Sequence, residues 1–282
     1  MSSPWRSLLF VPADRPRLLE KAHERGADAV IIDLEDAVRP AEKAQARAAA
    51  AEAVTALAEH GVDVVVRINA PWRMAMEDLE AVVRPGLTAV LAPKVDDAWR
   101  LTVLAELLND LELERGLSAG AVGLLALIEL PAALPRLEAI TASRRLVGLA
   151  FGSEDFSAAL GAAPVPAALA AACQQVAYAA AARGVMALGS PASIGEFRDL
   201  RAWRAGLDQA RAMGMSGALC VHPDQIADAN AAFEPSEEEV IQAQAILKAW
   251  AQADAGATAL GGKMIDAPVV ARAQRVLAAR RG

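Results

Sequence analysis

Cysteine is scarce in this sequence, with two residues among 282. Cys173 lies in an alanine-rich, helix-like run and Cys220 in an apolar, strand-like run, so both are expected to be small buried side chains. No disulfide framework and no CxxC metal pair can be formed, which is typical of a reducing compartment. We therefore expect a cytoplasmic protein.

Long apolar runs and an excess of positive charge are also missing. The apolar run near the N-terminus is too short for a signal-peptide core, and no run approaches the roughly 20 apolar residues of a membrane span. The formal net charge is −7, from 28 basic and 35 acidic residues. This balance argues against nucleic acid as a partner, although it does not exclude a basic pocket for an anionic ligand.

Short apolar runs alternate with longer amphipathic stretches along most of the chain. Eight strand-like runs, each followed by a helix-like stretch, occupy residues 7–12, 29–34, 62–68, 88–92, 122–128, 146–151, 185–188 and 218–221. Runs two to six are almost continuously apolar, as in parallel strands that helices cover on both faces. Eight such units predict a TIM (β/α)8 barrel, for which about 250 residues is a normal length. The same alternation also allows an open, doubly wound sheet.

The repeating pattern stops after Phe233. Ser236, with Glu239 three residues later, has the form of a capped helix start. A glycine-rich link (256–262) and a final helix from about Pro268 follow. We therefore predict a barrel domain over residues 1–235 and a C-terminal helical lid over residues 236–282.

Polar residues follow the apolar strands at the point where each strand ends. Because the C-terminal strand ends of a barrel form one rim, where active sites lie, these side chains are expected to meet there. The residues concerned are Asp33, Glu35 and Asp36 after strand two, Arg67 in strand three, Lys94 after strand four, Glu129 after strand five, Asp155 after strand six and His222 after strand eight.

Glu129 and Asp155 are the most informative of these residues. They follow neighbouring strands, and a carboxylate next to a buried strand must be paired or bind a metal. Two carboxylates without a His or Cys cluster suit Mg²⁺, which keeps water and substrate oxygens as further ligands. The alternative is that Glu129 and Asp155 form salt bridges with Arg67 and Lys94.

Two basic residues at this rim each have two interpretations. Arg67 can grip a substrate carboxylate with two parallel hydrogen bonds, or it can form a structural ion pair with Glu35 or Asp36. Lys94 can be a Schiff-base nucleophile of a metal-independent aldolase, or part of a structural ion pair. We favour the ion pair for Lys94. His222 is expected to be a hydrogen-bonding rim residue and not a metal ligand.

Several motifs, taken in order, resemble the citrate lyase beta subunit-like proteins of the HpcH/HpaI aldolase superfamily, relatives of the malyl-CoA and citramalyl-CoA lyases. The resemblance spans almost the whole chain. The matching segments are RSLLFVP (6–12), DLEDAV (33–38), RIN (67–69), PKV (93–95), IE (128–129), GSEDF (152–156), VHP (221–223), FEPS (233–236) and GKMIDAP (262–268). The stretch after Gly189 differs from the usual pattern of these proteins, so the resemblance does not identify the substrate.

The resemblance implies a Mg²⁺-dependent carbon–carbon lyase that acts on a coenzyme A thioester of a small hydroxy acid and releases a 2-keto acid. It also implies a homotrimer or hexamer. The family's Mg²⁺ ligands match Glu129 and Asp155, and its carboxylate-binding arginine matches Arg67. A lid aspartate, which acts on the thioester in a neighbouring subunit, matches Asp266. Gly261 and Gly262 are expected to be the lid's flexible hinge.

Five further positions match substrate or CoA contacts in these relatives. They are Phe10, Arg15, Lys21, Val221 and His222. Malyl-CoA, citramalyl-CoA and citryl thioesters all remain open as substrates. So do a lyase subunit that needs an acyl-carrier partner and a CoA-independent pyruvate aldolase on the same barrel.

Overall fold

Eight parallel strands make up the central sheet of the computed structural model, which describes residues 5–252 and 258–280. The strands are β1 (Ser7–Pro12), β2 (Ala29–Asp33), β3 (Asp63–Arg67), β4 (Leu87–Ala92), β5 (Gly123–Ile128), β6 (Leu146–Phe151), β7 (Met186–Leu188) and β8 (Ala218–Cys220). Each strand from β2 to β7 pairs with its predecessor in the chain, and β1 also pairs with β8. The predicted strands are thus confirmed, and every predicted end lies within one residue of the observed end.

The strand order is β7-β6-β5-β4-β3-β2-β1-β8, and the sheet closes where β7 meets the start of β8. Leu188 forms a parallel bridge with Gly217, and the Gly189 N–H donates to the Gly217 carbonyl at 2.9 Å. The expected (β/α)8 barrel is confirmed, and the open doubly wound sheet is wrong. Apolar side chains fill the barrel interior, among them Leu8, Ile31 and Leu125.

Helices follow the strands and cover the outside of the barrel. They are α1 (Pro16–Glu20), α2 (Lys43–Glu59), α3 (Trp72–Val82), α4 (Ala98–Glu114), α5 (Leu137–Thr141), α6 (Ser153–Leu160), α7 (Pro166–Arg183), α8 (Leu200–Met213) and α9 (Ile226–Phe233). A single helix was expected between β5 and β6, but α5 is preceded by a 3-10 helix (Pro131–Arg136). Pro135 lies inside that turn and cannot donate a helical hydrogen bond, which accounts for the difference.

The residues after Ala232 form a second compact unit, separate from the barrel unit of residues 5–232. Within it lie α10 (Glu237–Ala251), β9 (Thr258–Leu260), β10 (Lys263–Ile265) and α11 (Ala267–Ala279). The predicted cap of α10 is present: Ser236 accepts from the Glu239 N–H at 3.2 Å, and Glu239 accepts from the Ser236 N–H at 2.8 Å. The domain boundary at 235/236 and the lid role stay predictions.

The expectation of a flexible hinge at Gly261 and Gly262 is wrong. These two residues connect β9 and β10, which pair antiparallel with Leu260 opposite Lys263. Their φ values are 56° and 77°, and two consecutive positive φ angles are what a two-residue hairpin turn requires. Gly256 and Ala257, at the start of the glycine-rich link, lie outside the described residues.

Both cysteines are buried, as expected. Within residues 5–252 and 258–280, no helix combines the length and hydrophobicity that crossing a membrane requires.

A buried ion pair fixes the start of two neighbouring strands. Glu112 is 1% exposed and accepts from the N–H groups of Gly120 and Val122, both at 2.8 Å. Arg145 donates to both oxygens of the same carboxylate at 2.7 and 2.6 Å. Burial raises the pKa of Glu112, but the hydrogen bonds from Arg145, Val122 and Gly120 outweigh it and lower the pKa below its usual 4.5.

We predict that Glu112→Gln lowers the free energy of unfolding by about 1.5–3 kcal/mol, because hydrogen bonds to a charged group are lost. Since the folded-state pKa is depressed, this contribution is present above pH 4.5 and is lost as the pH falls through the folded-state pKa. Urea unfolding at pH 7 and below pH 4.5 measures both effects. Glu106→Gln, on the exposed face of α4, is the matched control. An equal loss in the two variants would contradict the prediction.

Candidate active site

A cavity of about 370 Å³ opens at the C-terminal ends of the barrel strands. Its position is the one at which barrel enzymes bind their substrates. The charged side chains that line it are Asp33, Asp36, Arg67, Glu129, Glu154 and Asp155. The structure thus brings together five of the residues predicted for this rim and adds Glu154.

Arg67 is held at the cavity by a carboxylate on the neighbouring strand. Asp33 and Arg67 are directly opposite each other in the pairing of β2 with β3. The Arg67 Nε and Nη2 donate to the two oxygens of Asp33 at 2.7 and 2.6 Å. The Arg67 Nη1 lies 3.1 Å from Glu35 and 3.8 Å from Asp36. Burial lowers the pKa of Arg67, but the bond to Asp33 outweighs it, so the guanidinium stays charged.

Arg67 takes part in more structural ion pairs than either interpretation of it predicted. The two-pronged face of the guanidinium is used by Asp33, a partner that neither interpretation named. Arg67 still lines the cavity, and its guanidinium carbon lies 5.0 Å from the Phe10 ring centre. Asp33 and Glu35 therefore orient Arg67 at the cavity.

Lys94 belongs to the same network. Its ammonium donates to Glu35 at 2.8 Å and lies 3.8 Å from Asp36, as expected for a structural ion pair. Burial lowers the pKa of Lys94, but the bond to Glu35 outweighs it and the net pKa is raised. A Schiff-base lysine must react as the neutral amine, so this environment disfavours the nucleophile interpretation.

Glu129 is a buried carboxylate directly beside the cavity, with 1% exposure. Its Oε1 accepts the backbone N–H of Lys94 at 2.7 Å, and Lys94 has a positive φ of 52°. Burial, followed by the charges of Glu35 and Asp155, raises the pKa of Glu129 to about 8, although the Lys94 N–H and Arg67 oppose the shift. A cation at this carboxylate would offset the cost of burying its charge.

Gly152 keeps the space that Glu129 occupies. It follows β6, and a Cβ at this position would lie 2.8 Å from the Glu129 Cβ. A side chain at residue 152 would therefore displace the carboxylate.

The second carboxylate, Asp155, is half-buried in the first turn of α6 and lines the same cavity. The alternative in which both acids pair with Arg67 and Lys94 is not what the structure shows, since those bases contact Asp33, Glu35 and Asp36. Among the described residues, no three His, Cys, Asp or Glu side chains form a metal site on their own. Two carboxylates with open positions for water and substrate oxygens fit Mg²⁺, which rarely takes a full set of protein ligands.

Two polar residues beside Asp155 were not expected to have roles of their own. Ser153 is 1% exposed, lines the cavity, and its buried hydroxyl has no hydrogen-bond partner in the described part of the chain. Glu154 holds a neighbouring loop in place, as described below. Asp155 was expected just after strand six, whereas it lies in α6, which begins at Ser153. The acidic first turn was the available signal of a helix start.

The predicted substrate contacts fall into two groups. Phe10 and Val221 line the cavity. Arg15 and Lys21 are exposed in the segment after β1 and do not line it. His222 also lies outside the lining; its ring stacks on Phe197 at 4.6 Å, and its Nδ1 accepts from the Asp224 N–H at 3.3 Å. The expected hydrogen-bonding role of His222 is confirmed, while contacts of these three residues with a ligand stay predictions.

Asp266 lies in the second unit, where it caps α11. Its Oδ1 accepts from the Val269 N–H at 3.2 Å, and the side chain is half-buried. This is the local capping role that a helix start requires. It leaves the other oxygen of the carboxylate available for further chemistry.

A closed barrel with paired acids and an arginine around a cavity at its C-terminal rim has the layout of a barrel enzyme. Over residues 6–223 the chain matches the HpcH/HpaI aldolase/citrate lyase family. The chain belongs to this family.

Curated relatives cover nearly the full length of the chain. Citrate lyase subunit beta of Leuconostoc mesenteroides subsp. cremoris is 31% identical, with 96% of this chain and 92% of the relative aligned. The citrate lyase subunit beta-like protein of Deinococcus radiodurans is 35% identical over 96% of both chains. A (3S)-malyl-CoA thioesterase of Cereibacter sphaeroides is 34% identical, covering 98% and 94%.

Solved structures are also similar. CitE of Mycobacterium tuberculosis in complex with magnesium, acetoacetate and coenzyme A is 31% identical, with a TM-score of 0.77 and 99% and 98% of the two chains covered. RipC of Yersinia pestis is likewise 31% identical, with a TM-score of 0.68, covering 83% of this chain and 97% of that one.

Proposed function

We propose that this protein is a Mg²⁺-dependent lyase that cleaves or forms a carbon–carbon bond in the CoA thioester of a small hydroxy acid. The observation that carries the proposal is the convergence of Glu129, Asp155 and Arg67 on one cavity at the barrel rim. Family membership and the magnesium and coenzyme A in the complex of the mycobacterial relative support it.

The two carboxylates would hold Mg²⁺, which supplies Lewis-acid polarisation of the keto-acid oxygen when bound. Arg67, oriented by Asp33, neutralises the carboxylate of the keto acid. Ser153 offers a buried hydroxyl with no other partner, which suits the same carboxylate or its neighbouring oxygen.

In the cleavage direction, the hydroxyl of the substrate loses its proton and becomes the carbonyl of a 2-keto acid. The electron pair of the broken carbon–carbon bond passes to the thioester, which becomes an enolate and takes up one proton to give an acyl-CoA. We assign delivery of that proton, or its removal in the condensation direction, to Asp266 acting from a neighbouring subunit. A homotrimer or hexamer in which subunits share sites is part of the proposal.

A thioesterase is the second candidate function, favoured by the 34% identity to a (3S)-malyl-CoA thioesterase. The citrate lyase beta subunits among the relatives favour a third, an enzyme that works on a carrier-bound thioester with partner subunits. A CoA-independent pyruvate aldolase is less consistent with the similarity to a malyl-CoA thioesterase and to a relative solved with coenzyme A.

One assay separates these candidates. The purified protein with Mg²⁺ is given malyl-CoA, citramalyl-CoA or citryl-CoA, and the 2-keto acid and free thiol are measured in parallel. A lyase releases a keto acid and an acyl-CoA without free thiol, whereas a thioesterase releases free thiol without a keto acid. Activity only on carrier-bound thioesters would indicate the partner-dependent enzyme. Absence of keto acid from every thioester would overturn the proposed function.

We predict that Arg67→Lys raises the KM for the keto acid at least about tenfold, because a hydrogen bond to a charged group is worth roughly 1.5–3 kcal/mol. Lysine also cannot make the two-pronged contact with Asp33, so the charge loses its fixed position. Steady-state kinetics in the condensation direction measures the effect. Arg47→Lys is the matched control, since Arg47 forms a comparable pair with Asp78 at 2.9 Å and does not line the cavity. Unchanged kinetics in Arg67→Lys would refute the assignment.

A further inference from the structure

The charges around the cavity are strongly one-sided. Among the described residues that line it, Arg67 carries the only positive charge, against five carboxylates. Two of those carboxylates are assigned to the metal and Asp33 already pairs with Arg67. One arginine and one divalent cation can together neutralise a single substrate carboxylate and polarise its neighbouring oxygen. Within the described lining of one subunit, no further positive charge remains to pair a second carboxylate.

Apolar side chains also line the cavity, and we call them its apolar wall. Among them are Phe10, Leu127, Ile194, Leu219 and Val221. Leu127 and Leu219 belong to the apolar cluster that fills the barrel, and Phe10 and Ile194 pack against that cluster. A group attached to the keto carbon would therefore meet hydrocarbon wherever it lies against this wall.

Ile194 lies on the loop between β7 and α8, where polar groups could have served a substrate. These groups instead donate hydrogen bonds to Glu154. Its Oε1 accepts from the Ser193 hydroxyl at 2.6 Å and from the N–H groups of Ile194 and Gly195 at 3.0 and 3.2 Å. The Ile194 carbonyl accepts from Gln225, a buried side chain, at 3.0 Å. The hydrocarbon side chain of Ile194 is what this part of the loop adds to the cavity lining.

From this arrangement, and resting on the proposed function, we propose that the site takes 2-keto acids with a single carboxylate, the class of glyoxylate and pyruvate. It discriminates against dicarboxylic keto acids of the oxaloacetate class, and hence against citryl thioesters. The second carboxylate of oxaloacetate would lie against the apolar wall or beside the acidic residues. Burying a charge without a partner, or beside charges of like sign, costs several kcal/mol.

The experiment compares three keto acids with the full-length protein and MgCl₂. Condensation kinetics with acetyl-CoA give kcat/KM for glyoxylate, pyruvate and oxaloacetate, and calorimetry with the same acids measures binding without turnover. We expect oxaloacetate to be at least about 100-fold worse in kcat/KM than the better monocarboxylic acid, since like-charge contacts cost several kcal/mol. Equal or better use of oxaloacetate would overturn the inference and leave the proposed lyase function standing.

The binding measurement keeps the two claims apart. If no acid is turned over, the lyase proposal fails, but weaker binding of oxaloacetate than of pyruvate or glyoxylate would still support the inference. If none of the three acids binds in the presence of MgCl₂, the inference fails as well.

A substitution in the apolar lining of the cavity tests the cause of the selectivity. Ile194→Lys adds a positive charge to the apolar wall and is expected to shift the ratio of kcat/KM for oxaloacetate over pyruvate upward by at least about tenfold. Ile194→Met, which has similar length and no charge, is the matched control and should leave the ratio near its original value. If Ile194→Lys does not fold, Val221→Lys places the charge on a neighbouring, more exposed part of the same wall. An unchanged ratio in a folded lysine variant would contradict the inference.

Discussion

Glu129→Gln is expected to reduce turnover by roughly a thousandfold or more. The charge that Mg²⁺ stabilises in such a reaction is worth several kcal/mol, and about 4 kcal/mol corresponds to a thousandfold in rate. The amide keeps an oxygen for the Lys94 N–H that Glu129 accepts at 2.7 Å, so the surrounding loop should be preserved. Only the charge is removed, and with it one of the two proposed metal ligands.

The measurement has two parts. Turnover is followed with Mg²⁺, with EDTA and after Mg²⁺ is restored, and Mn²⁺ binding is followed by electron paramagnetic resonance as a readout independent of activity. Weak Mn²⁺ binding in Glu129→Gln and Asp155→Asn, together with unimpaired binding in Glu52→Gln, is the expected pattern. Glu52 carries the same carboxylate on the exposed face of α2 and is the matched control.

Stability gives a further check on the same variant. Glu129 is 1% exposed, and a buried charge without a cation is costly. We therefore expect metal-free Glu129→Gln to unfold at a temperature no lower than that of the metal-free parent. Full activity of the parent in EDTA, with substrate trapped on Lys94 by borohydride, would sink the metal proposal and restore the Schiff-base alternative.

The barrel could be predicted from the sequence because its strands are buried on both faces. A strand such as β5 (Gly123–Ile128) is then a continuous apolar run, and the polar residue that follows it marks the rim. The rim position of Glu129, Asp155 and Arg67 followed from this rule alone. Their expected roles in binding came from ligand chemistry and from the resemblance, and they stay predictions.

Contacts between strands could not be predicted in the same way. The Asp33–Arg67 pair depends on the register of β2 against β3, which brings the two residues opposite each other. Apolar runs have no feature that fixes this register. For the same reason the role of Glu154 was missed, since its partners Ser193, Ile194 and Gly195 lie about 40 residues further along the chain.

The predicted hinge at Gly261 and Gly262 was wrong for a different reason. Gly261-Gly262 has the composition of a flexible link, but the same two residues suit a two-residue turn that needs two positive φ angles. The difference depends on whether the flanking residues pair as strands, and Thr258–Leu260 and Lys263–Ile265 are each only three residues long. Asp266 therefore follows a hairpin and starts a helix, which fixes its backbone within the second unit.

We expect Asp266→Asn to lose most turnover, roughly 10²–10⁴-fold, while it keeps its fold and its metal binding. General acid–base catalysis contributes a factor of that size. Asparagine caps a helix about as well as aspartate, so the bond to the Val269 N–H is retained and stability should hardly change. Asp266→Ala, which removes the cap as well, should cost about 1 kcal/mol in addition. If Asp266 serves only as a cap, Asn should be as active as Asp.

The matched control for Asp266 is another aspartate in the same local role. Asp199 caps α8 and accepts from the Ala202 N–H at 3.0 Å, three residues further on, as Asp266 does from Val269. Asp199→Asn should keep both stability and turnover. A comparable loss of turnover in the two variants would assign the effect to helix capping in general and not to proton transfer.

A mixing experiment tests whether Asp266 acts in a neighbouring subunit. Asp266→Asn has an intact barrel site and Arg67→Ala has an intact Asp266, so each alone is expected to be nearly inactive. In a mixed oligomer, an intact barrel can receive an intact Asp266 from its neighbour, and part of the activity should return. Subunit exchange is confirmed by native mass spectrometry of differently tagged variants. No recovery in oligomers that have demonstrably exchanged subunits would mean that Asp266 serves its own barrel or has no part in the chemistry.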